Sequence, residues 1–228
     1  MYGNCLLALD ARTGKYLWHF QLVHHDLWDY DASAAPQLVT VNQNGRTIDA
    51  VAQATKFGFL YVFDRVNGKP LWPIEERKVP ASNVPGEAAS PTQPFPTAPP
   101  PYGRQRFTAE DIDPYYLTPE TRDQLKDRLA NARNEGLFTP AGFIETVEMP
   151  GNNGGSIFFT TAADAASGTV YVVCKNVPSI IKLGIPGAGR GRGAAGAAGG
   201  PPAANAMPAT PPTPERQGRA TYEQNCQN

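Results

Sequence analysis

The sequence lacks several features that would assign a chain of 228 residues to a broad class at once. Its longest apolar runs, such as residues 57–63, are too short to cross a bilayer. With a net charge of −1 it has no broad basic surface, so nucleic acid is not an expected partner. Its three cysteines, Cys5, Cys174 and Cys226, are odd in number and far apart, which predicts no disulfide framework or zinc spacing. No secretory leader follows Met1, and we expect the native N terminus to lie upstream.

What the sequence does contain is a repeated turn unit. Residues 7–18 match residues 61–72 without gaps, sharing an Asp, a Gly, a Lys, a Leu and a Trp at an offset of 64 − 10 = 54 residues. A weaker third copy starts at Asp164. The Asp can accept backbone N–H groups and the Gly can adopt a positive φ, so each unit predicts a bulged β-hairpin. The recurring Trp can dock one unit on the next, which favours a β-propeller or stacked β array over two chance hairpins.

Between the first two units, alternating residues predict further strands. Residues 37–41 and 47–54 form a predicted hairpin that turns at Asn44-Gly45, a strong turn signal. Residues 80–101 contain eight prolines and almost no alternation, and therefore predict an extended loop rather than a strand.

One segment has the pattern of a helix. Thr118 is a good N-cap, Pro119 suits the first helical position, and Gly136 is expected to end the helix. The apolar positions Leu125 and Leu129 fall on one face and the remainder is charged, which predicts a helix on the surface.

The densest chemistry lies in residues 24–31, which combine two imidazoles, three carboxylates and two aromatic rings. Such a mixture fits a pocket with apolar walls and a few convergent polar groups. A carboxylate between Trp28 and Tyr30 would be partly desolvated, which would bring it toward the range of a general base. An acidic turn on a β-protein surface is an equally open interpretation. A metal cluster is a third, although the adjacent His24 and His25 diverge on a regular strand.

Taken in order, these motifs resemble the quinoprotein dehydrogenases, specifically the membrane-type quinoprotein glucose dehydrogenase branch, which uses pyrroloquinoline quinone (PQQ). The first turn unit resembles the tryptophan-docking motif of their propellers, and the resemblance covers about residues 3–183. The other matching segments are His24-His25-Asp26-Leu27-Trp28-Asp29-Tyr30-Asp31, Thr55-Lys56-x-Gly58-x-x-Tyr61-Val62-x-Asp64-Arg65, Val84-Pro85-Gly86-Glu87, Ser90-Pro91-Thr92-Gln93-Pro94-Phe95, Gly136-Leu137-Phe138-Thr139-Pro140 and residues 150–155.

The resemblance implies an all-β fold: a partial eight-bladed β-propeller of about three blades, with one surface helix and a disordered C-terminal tail. Residues 1–183 would form the propeller part and residues 184–218, rich in Gly, Ala and Pro, a flexible linker. Residues 219–228 resemble the truncated start of a cytochrome c domain, with Cys226 as the first position of a haem-attachment motif.

The resemblance also implies a reaction, the oxidation of a sugar or alcohol by hydride transfer to the quinone. Asp29 would be the general base and Lys56 the cation beside the quinone. The family's pattern would place His24, His25 and Trp28 at the substrate mouth. Asn152, Asn153 and Gly154 would approach the cofactor, although Ile157-Phe158-Phe159 stand where the family usually has a Trp.

Implied cofactors are PQQ, Ca²⁺ with most ligands outside this chain, and haem c in a full-length parent; no metal ligand is identified here. A cytochrome c or ubiquinone would accept the electrons, and the parent would be periplasmic. The isolated chain is expected to be catalytically incompetent. Two other hypotheses stay open: a non-enzymatic propeller scaffold of the envelope and a free-standing metal-binding module. The pair Asp29 and Lys56 discriminates the enzyme from the scaffold, since a scaffold does not need a desolvated carboxylate facing a cation.

Overall fold

The computed structural model describes residues 2–165 and 167–184. The predicted linker and tail from residue 185 onward, the cytochrome start and Cys226 lie outside the described residues. Within them the elements are β1 (Cys5–Leu9), β2 (Tyr16–Gln21), β3 (Gln37–Gln43), β4 (Arg46–Ala54), β5 (Leu60–Asp64), β6 (Ile74–Lys78), β7 (Thr92–Pro96), a 3₁₀ turn (Ala109–Asp111), α1 (Pro119–Asn131), β8 (Thr146–Glu148), β9 (Thr161–Asp164), β10 (Thr169–Val172) and β11 (Ser179–Ile181).

The strands form small antiparallel sheets rather than one continuous sheet. The largest has the order β3-β4-β5, and the pairs β1-β2, β6-β7, β8-β11 and β9-β10 complete the described part. Asn44 and Gly45 turn β3 into β4 with φ values of 52° and 75°, as the Asn-Gly signal predicts. The prediction of an all-β chain with one surface helix is confirmed.

The repeated unit has the same structure in its first two copies. The amide of Gly14 donates to the carbonyl of Asp10 at 2.8 Å, and the amide of Gly68 donates to the carbonyl of Asp64 at the same distance. The Asp10 carboxylate also accepts from two backbone amides of its own turn, and the Asp64 carboxylate accepts from one. Both glycines have positive φ, 69° and 73°. The predicted hairpins are therefore present, and the same Asp and Gly chemistry builds each one.

Trp18 of the first unit docks on the turn of the second. Its indole N–H donates to the carbonyl of Arg65 at 3.0 Å, and its ring lies against Gly68, where a side chain would collide with it. In the second unit, Trp72 packs at an apolar cluster that includes Ala163 and Val170 of the third. The Trp at the same position of the first two units thus contacts the next hairpin in each case.

Gly68→Ala is expected to destabilise the chain more than Gly14→Ala, although both glycines have nearly the same φ. A Cβ at residue 68 would lie 2.6 Å from Cδ2 of Trp18, whereas nothing lies within 4 Å of a Cβ at residue 14. The difference, about 1–3 kcal/mol in the free energy of unfolding, measures the docking contact alone. Urea denaturation of the two variants tests it, and equal losses would show that Trp18 does not hold the units together.

Two local predictions need correction. Residues 80–101 are not a loop throughout, because β7 (Thr92–Pro96) pairs with β6. Its two prolines are tolerated because β7 is an edge strand with a partner on one side only. The helix begins at Pro119 as predicted but ends at Asn131, short of Gly136. Arg133 instead pairs with the backbone of residues 145–147, so its amide and carbonyl are taken by strand-type hydrogen bonds.

Candidate active site

Two aromatic side chains anchor residues 24–31 against the segment 138–150. The indole N–H of Trp28 donates to the carbonyl of Thr139 at 2.9 Å, and the hydroxyl of Tyr30 donates to the carbonyl of Pro150 at 2.6 Å. Both rings are almost fully buried and pack with Phe138. These contacts satisfy the polar ends of two rings whose bodies are in the core. They fix the acidic stretch on the surface of the core.

Asp29 points away from the rings on either side of it. Its side chain is 70% exposed, and its φ is 60°. The expectation of a desolvated carboxylate between Trp28 and Tyr30 is therefore wrong: both rings are buried, whereas the carboxylate of the residue between them is mostly exposed. The exposed carboxylate leaves room for another molecule to reach it.

Lys56 lies in the tight turn between β4 and β5 and meets the acidic stretch. Its ammonium group donates to the backbone carbonyl of Asp29 at 2.9 Å and to its Oδ2 at 3.2 Å, and forms an ion pair with Asp31. Only 10% of the Lys56 side chain is exposed. The structure thus brings together Asp29 and Lys56, which are 27 residues apart in the chain (56 − 29).

The surroundings keep Lys56 charged. Burial opposes the ammonium form, but the carboxylates of Asp31 and Asp29 outweigh it and raise the pKa of Lys56 above its usual value. Because the pKa is raised on folding, this pairing stabilises the fold below the unfolded-state pKa, and the stabilisation is lost as pH rises through the folded-state pKa. At neutral pH the site therefore presents a fixed, largely buried cation.

The loop 151–155 packs on the stem of Lys56. The amide of Gly155 donates to the carbonyl of Lys56 at 2.6 Å. Gly154 has φ of 78°, and it lies so close to Lys56 that a Cβ at this position would collide with the Lys56 side chain. Asn152 accepts a hydrogen bond from Ser179, and Asn153 is exposed. The glycine allows the close approach that positions the lysine.

Gly154→Ala is expected to lower the free energy of unfolding by about 2–4 kcal/mol, since a left-handed φ and a crowded contact act together. The added Cβ would lie 2.7 Å from Cβ and 2.9 Å from Cδ of Lys56. The control is Gly86→Ala, because Gly86 has φ of 83° with nothing within 4 Å. That variant is expected to lose only about 1 kcal/mol. Similar losses in thermal or urea denaturation would mean that Gly154 does not support Lys56.

One carboxyl group at this site is not predicted from the sequence. Glu148 is only 3% exposed, and neither of its carboxyl oxygens has a hydrogen-bond partner among the described residues. Burial, and then the negative charges of Asp26 and Asp29, raise the pKa of Glu148 to about 8. The signal available in the sequence was a single acid in the short run Thr146-Val147-Glu148-Met149.

A family profile described as "Glucose/ethanol/alcohol dehydrogenase, beta-propeller domain", of the PQQ type, matches residues 1–225. This chain belongs to that family. The resemblance to PQQ-dependent quinoprotein dehydrogenases is thereby confirmed.

Individual relatives agree with the family. The quinate/shikimate dehydrogenase (quinone) of Acinetobacter baylyi is 37% identical over 75% of this chain and 21% of its own length. The quinoprotein glucose dehydrogenase of Escherichia coli is 37% identical over 67% of this chain and 19% of its own length. Among solved structures, the quinohemoprotein alcohol dehydrogenase from Comamonas testosteroni is 24% identical over 78% of this chain and 20% of that one, with a TM-score of 0.46. The chain thus spans about a fifth of the curated relatives it matches.

The other residues predicted for the site of this quinoprotein chain differ in how deeply they are buried. Trp28, expected at a substrate mouth, is in the core at 2% exposure. The His24 ring contacts Glu76 at 2.9 Å, and its backbone amide and carbonyl both bind the side chain of Gln93. His25 is exposed with φ of 45°. Of these three, His25 is the most exposed, and the His24 side chain is 32% exposed.

In residues 2–165 and 167–184, no cluster of three or more His, Cys, Asp or Glu side chains is arranged to hold a metal ion. Cys5 and Cys174 are free thiols in that same region. The hypothesis of a free-standing metal-binding module therefore finds no ligand set in the part that the structure describes. No helix there has the length and apolar character to span a bilayer.

Proposed function

We propose that this chain contributes the general base and a quinone-side cation to a PQQ-dependent dehydrogenase that oxidises a sugar or alcohol. The observation that carries the proposal is the contact between Lys56 Nζ and Asp29 Oδ2 at 3.2 Å, in a chain of the PQQ family. One member of this pair is exposed and the other is buried and charged. In alcohol oxidation by a quinone, an accessible base can take up the hydroxyl proton and a fixed cation can stabilise the negative charge that develops on the quinone.

The residues present fit the cofactor's needs. When bound, PQQ supplies a quinone that takes up the hydride of the alcohol carbon. Lys56 would donate a hydrogen bond toward it, and Gly154 keeps the lysine stem in place without a side chain of its own. An ammonium has three N–H donors, and here they face three oxygens of Asp29 and Asp31. Binding the cofactor therefore requires Lys56 to exchange one of these partners.

Asp29 would receive the proton of the substrate hydroxyl. Its carboxylate is exposed, so a hydroxyl group can approach within hydrogen-bond distance. The adjacent Lys56 and the buried Trp28 and Tyr30 hold the backbone of Asp29 in its left-handed conformation. A positioned carboxylate loses less freedom in reaching the transition state than one on a mobile loop.

The proposal also assigns roles to other residues of this chain and to groups outside it. His24 and His25 would contact the substrate. Asn152 and Asn153 would lie on the cofactor side. Ca²⁺ would be held mostly by residues outside this chain, and haem c, attached through Cys226, would belong to a longer parent in the periplasm. A cytochrome c or ubiquinone would accept the electrons.

Because the chain spans about a fifth of its relatives, the isolated 228-residue chain is proposed to be inactive. The test is dye reduction with PQQ and Ca²⁺, offering glucose, glycerol and quinate in turn. The full-length dehydrogenase should turn over at least one of them, and the isolated chain none. Turnover by the isolated chain would contradict the proposal that it is inactive. PQQ binding without turnover of any polyol or sugar by the full-length protein would favour the scaffold hypothesis instead.

A further inference from the structure

Glu148 occupies an unusual position for an acid. It ends the short strand β8, between the buried Val147 and Met149, and pairs with Ser179 of β11. Both carboxyl oxygens are removed from solvent and lack hydrogen-bond partners in the part of the chain that the structure describes. An unpaired buried carboxyl group destabilises a fold, so its presence beside a candidate active site points to a role in that site.

The acidic stretch packs against this same region. The hydroxyl of Tyr30 donates to the carbonyl of Pro150, two residues beyond Glu148. Asp26 is fixed by the side-chain amide of Asn4 and by the amide of Trp28. The charges of Asp26 and Asp29 act on Glu148, and Glu148 acts in turn on the phenol of Tyr30. Glu148 therefore shares the electrostatic environment of the proposed base.

We propose that Glu148 is a positioning residue of the dehydrogenase site, a second carboxyl group whose proton is coupled to the charge on Asp29. The inference rests on the proposed function, in which Asp29 accepts the substrate proton. Since the pKa of Glu148 is raised to about 8, this carboxyl group is neutral at pH 7. The region around Asp26 and Asp29 therefore carries one negative charge fewer than it would if Glu148 were ionised.

The coupling works in both directions. Burial and the negative charges of Asp26 and Asp29 keep the proton on Glu148. When the O–H bond of the substrate breaks and an O–H bond forms on Asp29, the last of these contributions is lost. Glu148 then releases its proton more readily. Conversely, ionisation of Glu148 at alkaline pH adds a negative charge near Asp29 and increases the affinity of Asp29 for the substrate proton.

The coupling can be measured on the 228-residue chain without any cofactor. The experiment is a pH titration followed by carboxyl ¹³C NMR with labelled glutamate, assigned by loss of one signal in Glu148→Gln. The Glu148 signal should titrate near pH 8 in the wild type. Asp29→Asn should lower that midpoint by roughly half a pH unit or more, the effect of one charge several ångströms away. Asp49→Asn is the control, because Asp49 is exposed and paired with Arg65.

A Glu148 midpoint in the ordinary range of glutamate, or equal midpoints in Asp29→Asn and Asp49→Asn, would overturn the proposal. Either result would leave the proposed dehydrogenase activity untouched, so the two failures are distinguishable. In the full-length dehydrogenase, kcat/KM should rise by roughly twofold as pH passes through about 8, because Asp29 becomes a stronger base. Glu148→Gln should remove this rise; an unchanged profile in that variant would also contradict the proposal.

Discussion

Asp29→Asn is expected to lower kcat of the full-length dehydrogenase by about 10²- to 10⁴-fold, the usual contribution of a positioned general base. The amide is nearly isosteric with the carboxylate and can still accept the hydrogen bond of Lys56, but it cannot take up a proton. PQQ content should stay at the wild-type level, because the proposed cofactor contact is made by Lys56. Steady-state dye reduction at saturating substrate measures kcat, and the PQQ absorbance measures the cofactor content.

Asp31→Asn is the matched control for this variant. Asp31 also forms an ion pair with Lys56, so Asp31→Asn likewise removes one negative charge from beside the Lys56 ammonium group. It has no assigned part in accepting the substrate proton, and kcat should fall far less than in Asp29→Asn. Equal losses in the two variants would indicate that both carboxylates act only by holding Lys56, and Asp29 would no longer be the base.

Glu148→Gln is expected to stabilise this chain at pH 7 by about 2–3 kcal/mol. Folding raises the pKa of Glu148 from 4.5 to about 8, so the folded state binds more protons than the unfolded state between those values. The free energy of unfolding of the wild type therefore falls as pH rises through this window. The glutamine side chain has similar size and no ionised form, which removes the penalty.

The pH dependence distinguishes this effect from a change in packing. The stability difference between wild type and Glu148→Gln should be small near pH 4, grow up to about pH 8 and then level off. Urea denaturation at several pH values gives the curve. Glu87→Gln is the control, since Glu87 is exposed. A gain that does not vary with pH would mean that Glu148 is not forced to carry a proton on folding.

The turn units were the most predictable part of the fold because their chemistry is local. An Asp that caps its own turn and a Gly with positive φ are separated by four residues, so the sequence contains the whole interaction. The docking of Trp18 on Gly68 was predictable only in outline, from the recurrence of the unit. β7 was missed because its prolines argue against a strand unless the strand is known to lie at an edge, which depends on its distant partner β6.

The candidate site divides in the same way. The resemblance named Asp29 and Lys56, and the structure brings them together. The burial of each group depends on side-chain direction, and the desolvated acid of the site is Glu148, not the predicted Asp29. Glu148 was missed because its environment is made by residues 26–30, more than 100 positions away. A buried carboxyl group of this kind is defined by tertiary contacts and not by its own neighbours in the chain.

The most direct test of the shared site is a double-mutant cycle in the full-length dehydrogenase with Asp29→Asn, Lys56→Met and the two combined. If base and cation act in one site, the losses in kcat/KM are strongly non-additive, and the double variant is about as impaired as the worse single variant. Independent, multiplicative losses would show that Asp29 and Lys56 do not act together, and the proposed function of this chain would be contradicted.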